Sequence, residues 1–331
     1  MRRVLHSGLL ILLTLLAACE KKDTAVMLPP KGEAIHNSVD MGEEYLTQLF
    51  FDFESNSIVY TSTINDWDLA FEAAPSGFHV FMNDPKWKVY NTHVKDFGQV
   101  TMPAKITDKD WKFDASCGLP DSTAIGDWTS AGQNSKGDIY IMENDSDVLH
   151  PSYVKLTLLS YDDKQYVFGY GSLTDAKPQI VTVPKDYSYN YSYFSFSKGV
   201  IQMEPPKDTW DIVFTRYKYI YHDLNNFPYT VTGALLNPYK TTAVQDSITA
   251  FDNINSAGIN GYHYSNFRDV IGFDWKSFDY SNPTTASYIT NPKKCYIVNT
   301  RKGQYYKLHF LDFYSPTKMK GHPTFEFVRL Q

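Results

Sequence analysis

Apolar and polar residues alternate along most of this chain. Trp67, Leu69 and Phe71 fall at every second position, as do Trp210, Ile212 and Phe214. A period of two sends successive side chains to opposite faces. Each stretch therefore predicts a half-buried β-strand with its Asp, Asp68 or Asp211, on the wet face. Short aromatic strands at 49–53 and 193–197 precede the two, and apolar runs at 153–159 and 305–311 follow them. No long window carries apolar residues at i, i+3, i+4 and i+7, so no amphipathic helix is predicted. Turns such as Asn83-Asp84-Pro85 and Asn237-Pro238 separate the strands, and 258–261 predicts a hairpin turn. Many short strands with turns between them predict an all-β chain, a sandwich or open barrel.

The pattern also repeats. Asp66-Trp67-Asp68-Leu69-Ala70-Phe71 returns as Thr209-Trp210-Asp211-Ile212-Val213-Phe214, 143 residues on. Asp110-Trp111-Lys112-Phe113-Asp114 is matched with Asp274-Trp275-Lys276-Ser277-Phe278-Asp279, and Tyr153-Val154-Lys155-Leu156 with Tyr305-Tyr306-Lys307-Leu308. The matches keep one order, which predicts two tandem copies of one β domain, at 42–177 and 186–331. Their boundary falls where Pro178 and Pro184 flank a short extended stretch. Each copy is long enough to bury its own core.

At the N-terminus, Arg2 and Arg3 precede an apolar run at 9–16 and then Leu16-Ala17-Ala18-Cys19. This predicts a secretory signal at 1–18. The run is too short for a membrane span, which needs about 20 apolar residues. Its ending resembles the lipobox of bacterial lipoproteins, which implies lipidation of Cys19 and anchoring of a folded domain at a membrane surface. An ordinary signal that happens to end in Cys is the alternative. Residues 19–41 lack periodic apolar positions, contain Pro29, Pro30 and Gly32, and predict a flexible tether. Glu20-Lys21-Lys22-Asp23 is similar to the charged surface-export signals of Bacteroidota lipoproteins. The chain is expected at the outer membrane, on the cell surface or the periplasmic face.

Composition narrows the functions. Loss of Arg2 and Arg3 with the signal takes the formal charge from −6 to −8. A mildly acidic chain without a basic cluster excludes nucleic acid as a partner. Aromatic residues make up 16%, which suits pleated surfaces and equally suits flat ligands and sugar rings. Cys117 and Cys295 do not occupy matching places in the repeats, so no disulfide framework is indicated. Cys295 opens an apolar run and reads as a core thiol, with a bridge between the halves as the alternative. There is no zinc-type spacing, nucleotide fingerprint or hydrolase elbow. Asn144-Asp145-Ser146-Asp147 lacks the Gly and final Glu of an EF-hand loop and reads as a solvated turn. No enzyme is expected.

Tyr193-Phe194-Ser195-Phe196-Ser197-Lys198-Gly199, the Trp210-Asp211 strand running to Arg216-Tyr217, and a closing pair at 296–298 and 306–313 together resemble the HmuY family of Bacteroidota lipoproteins. The resemblance covers most of 190–331; the first half reads as a diverged copy. It implies two tandem HmuY-like β-sandwich or open-barrel domains. It also implies capture of haem outside the cell and its transfer to a TonB-dependent outer-membrane receptor. Family members hold the iron with His pairs or Met. Tyr280 stands where one family His would be, and a Tyr phenolate binds ferric haem. His263 is the one His near the hairpin that supplies the other ligand, so His263 and Tyr280 are the candidate haem ligands. His222, His309, His322, Met203 and Met319 are weaker, with His309 expected on a solvated strand face. Alternatives are a non-haem module for a glycan or protein partner, and a structural surface lipoprotein.

Overall fold

A computed structural model describes residues 28–102, 106–130, 134–145, 152–281 and 286–330; the signal segment 1–18 and Cys19 lie outside the described residues. The alternating segments form strands joined by turns and six short 3-10 turns, and the chain is all-β with antiparallel sheets and no closed barrel. The first half supplies β1 (Ala34–Ser38), β2 (Thr47–Asp52), β3 (Ser57–Thr63), β4 (Leu69–Glu72) and β5 (Val80–Met82). It continues with β6 (Trp87–Asn91), β7 (Ile139–Asn144), β8 (Tyr153–Tyr161) and β9 (Gln165–Gly171). The second half supplies β10 (Gln179–Pro184), β11 (Tyr191–Ser195), β12 (Gly199–Ile201), β13 (Ile212–Tyr221) and β14 (Phe227–Leu236). After these come β15 (Thr242–Asp246), β16 (Lys276–Asp279), β17 (Ser287–Thr290), β18 (Cys295–Asn299), β19 (Tyr305–Tyr314) and β20 (Lys320–Arg329).

The strands pair across the expected domain boundary. One lobe stacks sheet β10-β9-β8-β7-β6 against sheet β12-β11-β4-β5; the other stacks β1-β20-β19-β18-β15 against β14-β13-β2-β3. The two orders are the same once β1 to β9 are laid over β10 to β20, with the hairpin β16–β17 extra. In both halves, however, the first three strands have left their own lobe. β1 pairs with β20 and β2 with β13, while β10 pairs with β9 and β11 with β4. The division at 42–177 and 186–331 is thereby redrawn. The repeat is real, but each core is closed by three strands of the other half, a reciprocal exchange within one chain.

Matched contacts pin the exchange. Asp68 and Asp211, expected on the wet face, are buried. Asp68 accepts the Phe196 N–H at 2.6 Å, and Asp211 accepts the Phe53 N–H at 3.1 Å. Phe196 and Phe53 follow the exchanged strands β11 and β2, so each carboxylate holds the end of the visiting strand. A buried carboxylate needs such partners. Asp68 also receives Trp87 Nε1 at 2.7 Å and Lys86 Nζ at 2.5 Å, and Arg301 sits between Asp211 (2.7 Å) and Asp52 of β2 (2.9 Å). Trp67 leaves the face of Leu69 and Phe71 and packs against Tyr193 at 5.3 Å. The matched Lys155 and Lys307 are likewise buried. Lys155 caps the carbonyls of Phe97 and Val100, and Lys307 those of Phe251 and Ile254.

Three further expectations change. The polar stretch 19–41 does not stay a tether to its end, because 34–38 is β1 and Val39 and Met41 enter the core. Trp111 does not match Trp275: it packs in a satellite cluster, whereas Trp128 and Trp275 occupy corresponding places in the two main cores. The signal lay in Ile125-Gly126-Asp127-Trp128 against Ile271-Gly272-Phe273-Asp274-Trp275, interrupted by one inserted Phe. Gly126 and Gly272 both take a positive φ, 66° and 64°, a conformation that favours glycine. The 258–261 turn is the 3-10 turn Ile259–Gly261 rather than a hairpin. Cys117 and Cys295 are both free, and burial pushes the Cys295 thiol up to about 11.

The sheets containing β4 and β13 also face each other, which buries both surfaces of these strands. Between them lies a polar cavity of about 90 Å³, faced by Asp84, Asp114, Glu204, Arg268, Tyr191 and Tyr193 among others. Burial pushes Asp114 and Glu204 up to about 7 each, against backbone N–H bonds that favour the ionised form. Burial and the neighbouring Asp114 push Asp84 up as well.

Two predictions follow from this architecture. A protease site placed at 172–178 and cut should leave the halves associated in native gel filtration, because three strands of each are inserted in the other. Free migration of the fragments would contradict the exchange. Secondly, Asp114 and Glu204 keep protons in the folded chain at pH values where the unfolded chain has released them. Stability should fall as pH rises from the ordinary carboxylate range through about 7 and level off above it, a loss on the order of a few kcal/mol. The Asp114→Asn/Glu204→Gln pair should flatten that slope in thermal melts across this range; an unchanged slope would refute the assignment.

Candidate functional site

The hairpin β13–β14 is ten residues per strand, far longer than its counterpart β4–β5. Its register runs from Ile212↔Leu236 out to Tyr221↔Phe227. A 3-10 turn, His222–Leu224, and two consecutive positive-φ residues, Asn225 and Asn226, close it. Asn tolerates this left-handed conformation better than most residues. Period-two alternation places Tyr217, Tyr219 and Tyr221 on one face, with Phe227, Tyr229 and Val231 opposite them across the ladder. The inner part of that face packs on the other lobe. The outer part runs beyond any core and is left as an aromatic wall.

A second wall comes from the extra hairpin β16–β17, which has no counterpart among the described strands of the first lobe. Phe278 packs on Tyr280 at 4.7 Å and on Tyr288 at 5.0 Å, and Tyr288 packs on Phe313 at 5.1 Å. Between the walls is an open cleft of about 1400 Å³. Its floor is the segment 272–276. There Gly272 exchanges backbone hydrogen bonds with Ala234, both 3.0 Å. Gly233 is required by this approach, since a Cβ on it would stand 2.2 Å from the Gly272 oxygen. Phe273 projects between the walls and meets Tyr219 at 5.0 Å.

Among the described residues, seven tyrosines line the cleft, and no His, Met or Cys does. Tyr280 is one of the seven and is 75% exposed. His263 is exposed on the loop after the 3-10 turn Ile259–Gly261 and is not a lining residue, so the structure does not bring the two predicted ligands together. His309 is not solvated: its ring lies flat on Phe251 at 3.9 Å and its Nε2 is 3.4 Å from Glu326. His222, His322, Met203 and Met319 do not line the cleft either. Sequence reasoning missed the wall tyrosines, although their alternation at 217, 219 and 221 was visible.

Two cations line the cleft. Arg216 donates from Nη1 to the Glu44 carbonyl at 3.3 Å. Lys276 is buried, with Nζ bonded to the carbonyls of Thr232 and Phe273. Burial pulls it down to about 7, and the nearby Asp274 opposes this. The tyrosines Tyr45, Tyr217, Tyr221 and Tyr288 are pushed up, chiefly by burial, and stay protonated near neutral pH. The arrangement offers flat ring faces, hydroxyl donors and positive charge. For a porphyrin the ring faces fit, and phenolic oxygens are among the donors that line the cleft.

Among the described residues, no helix is long and apolar enough to cross a membrane. No curated protein matches the chain. Among solved structures, apo PinO from Porphyromonas gingivitis is similar at 10% identity, with 90% of this chain and 98% of that one covered and a TM-score of 0.34. The apo HmuY analogue of Tannerella forsythia is similar at 12% identity, with 92% and 100% covered and a TM-score of 0.24. A Bacteroides vulgatus protein described as HmuY-like and haem-binding is similar at 16% identity, with 54% and 92% covered and a TM-score of 0.25. These superpositions are loose; the model of one family, HmuY protein, matches residues 186–327, less than half of the chain. The second half of this chain, which supplies every residue lining the cleft except Tyr45, is the segment that the HmuY family model matches.

Proposed function

We propose that this chain is a non-enzymatic binding protein of the cell envelope, lipid-anchored through Cys19, whose second lobe captures haem in the tyrosine cleft. The observation that carries this reading is the coincidence of family segment and cleft: residues 186–327 hold both aromatic walls. Stacking on flat rings suits a planar macrocycle, and burial of its faces supplies most of the affinity. Tyr280 is the proposed axial donor, through its phenolate, since cleft-lining His and Met are lacking among the described residues. Bound haem would supply the iron that this oxygen ligates; the chain orients the ring and shields its faces. Delivery to a TonB-dependent outer-membrane receptor completes the proposal. The first lobe would act as the framework that receives β10–β12 and presents the second.

A glycan is the second reading. It is favoured by the exposure of the stacked pair Phe227 and Tyr229 beside Tyr280, a platform on which a sugar ring could lie.

Haemin titrated into the mature chain should give a saturable Soret shift. Tyr280→Phe should weaken that binding about tenfold or more and alter the ferric spectrum, while His263→Ala should leave both unchanged. Absence of a saturable shift would overturn haem capture and leave the glycan reading. A shift lost in His263→Ala and kept in Tyr280→Phe would overturn the ligand assignment.

A further inference from the structure

Lys276 differs from the matched buried lysines Lys155 and Lys307. Lys155 and Lys307 recur at matched positions, each capping a 3-10 turn and packing over the Phe at its start, Phe97 or Phe251. They belong to the framework, and neither lines the cleft. Position 276 is matched in the first lobe by Thr129, directly after Trp128. The framework therefore does not require a lysine here. The lysine occurs in the lobe that carries the cleft, on its floor.

Its surroundings are incomplete for an ammonium. The Nζ lies 4.4 Å from the Trp275 ring centre, 4.7 Å from Phe313 and 5.7 Å from Tyr288, and its hydrogen-bond partners are the carbonyls of Thr232 and Phe273. Among the described residues no carboxylate pairs with it. Asp274, the adjacent acid, is paired to Lys294, and Asp269 receives the Ser116 hydroxyl at 2.6 Å. A buried charge held by neutral acceptors gains strongly from an anionic one. A second group points the same way. The Tyr217 hydroxyl, buried beside Gly272, has no hydrogen-bond partner among the described residues, and Tyr217 also lines the cleft. Arg216, one position earlier and so on the other face of the strand, also lines the cleft and makes no ion pair among the described residues.

We infer that the cleft floor is an anion subsite, in which Lys276 receives a carboxylate carried by the planar ligand. The inference rests on the cleft being the binding site and names the chemical class it selects: an aromatic macrocycle with acid side chains, in preference to a neutral ring or glycan. The groups near Lys276 are Trp275 and Asp274 on its own segment, Tyr288 on β17 and Phe313 on β19; Tyr45, Arg216, Tyr217 and Asp269 line the same cleft. The tyrosines Tyr45, Tyr217 and Tyr288 stay neutral, so Lys276 is the group that gains charge on falling pH. Binding of an acid ligand near or above neutrality then draws a proton onto it.

A metal-free dicarboxylic porphyrin and its dimethyl ester, presented in dilute detergent and followed by fluorescence, separate the possibilities because neither needs an axial ligand. The diacid should bind the wild-type chain about tenfold or more tightly than the diester, and weaken between about pH 6 and about pH 9 while the diester does not. Lys276→Met should remove most of the diacid advantage and its pH dependence, bringing the diacid to the diester's affinity measured in the same variant. Equal wild-type binding of diacid and diester would overturn the anion subsite, with the cleft reading intact; this comparison needs no variant and so holds even if Lys276→Met misfolds. Failure of both porphyrins to bind would overturn the cleft reading itself, and the subsite with it.

Discussion

Each lobe closes only when three strands of the other half enter it, and the rest of the molecule depends on that exchange. The N–H groups of Phe196 and Phe53 are handed to Asp68 and Asp211 at the two crossing points. These carboxylates are buried, so removal of the visiting strand would leave an ion without its partners in an apolar setting. In the second lobe Arg301 joins Asp211 to Asp52 of the visiting β2, which ties resident and visitor through one guanidinium. Burial raises Asp211 to about 6, with Arg301 pulling against it. The exchange also brings the sheets of β4 and β13 face to face, so the lobes share a polar seam.

The seam and the cleft are two ends of one surface. Val213 and Tyr217 on β13 face the other lobe, whereas Tyr219 and Tyr221 on the same strand continue past it into the cleft wall. The strand is anchored where it is sandwiched and presents its aromatic face where it overhangs. In the first lobe β4 stops at Glu72 and β5 begins at Val80, so the corresponding hairpin ends within the packed region. Among the described residues, the length of β13–β14 past the core and the extra hairpin β16–β17 set the second lobe apart from the first. Glycine at 233 lets the floor segment come against β14 closely enough to exchange two backbone bonds.

Much of this was legible in the residues. The all-β class followed from period-two alternation, the duplication from the Trp-Asp strands, and the matched lysines from Tyr153-Val154-Lys155-Leu156 against Tyr305-Tyr306-Lys307-Leu308. Where the reading erred, the cause was physical. Asp68 and Asp211 look like wet-face residues because alternation counts positions and does not see hydrogen-bond donors arriving from remote sequence. Trp111 resembles Trp275 by its neighbours, yet the true match at Trp128 is hidden by one inserted Phe. His263 is near the site in sequence and away from it in space, because 262–264 packs beside β15 instead of the cleft floor.

The sequence alone determined where strands form and which side chains seek a core, because both follow from local backbone geometry and side-chain polarity. It could not determine which strands meet. Leu69-Ala70-Phe71 and Ile212-Val213-Phe214 offer nearly the same edge, and the aromatic strands β2 and β11 are nearly the same guest. Pairing within a half and pairing across halves satisfy the same alternation, so the choice lies in how the whole chain closes. Tertiary structure made that choice. With it came the burial of Asp68 and Asp211 and the aromatic wall overhanging the second core, because these depend on neighbours far away in sequence.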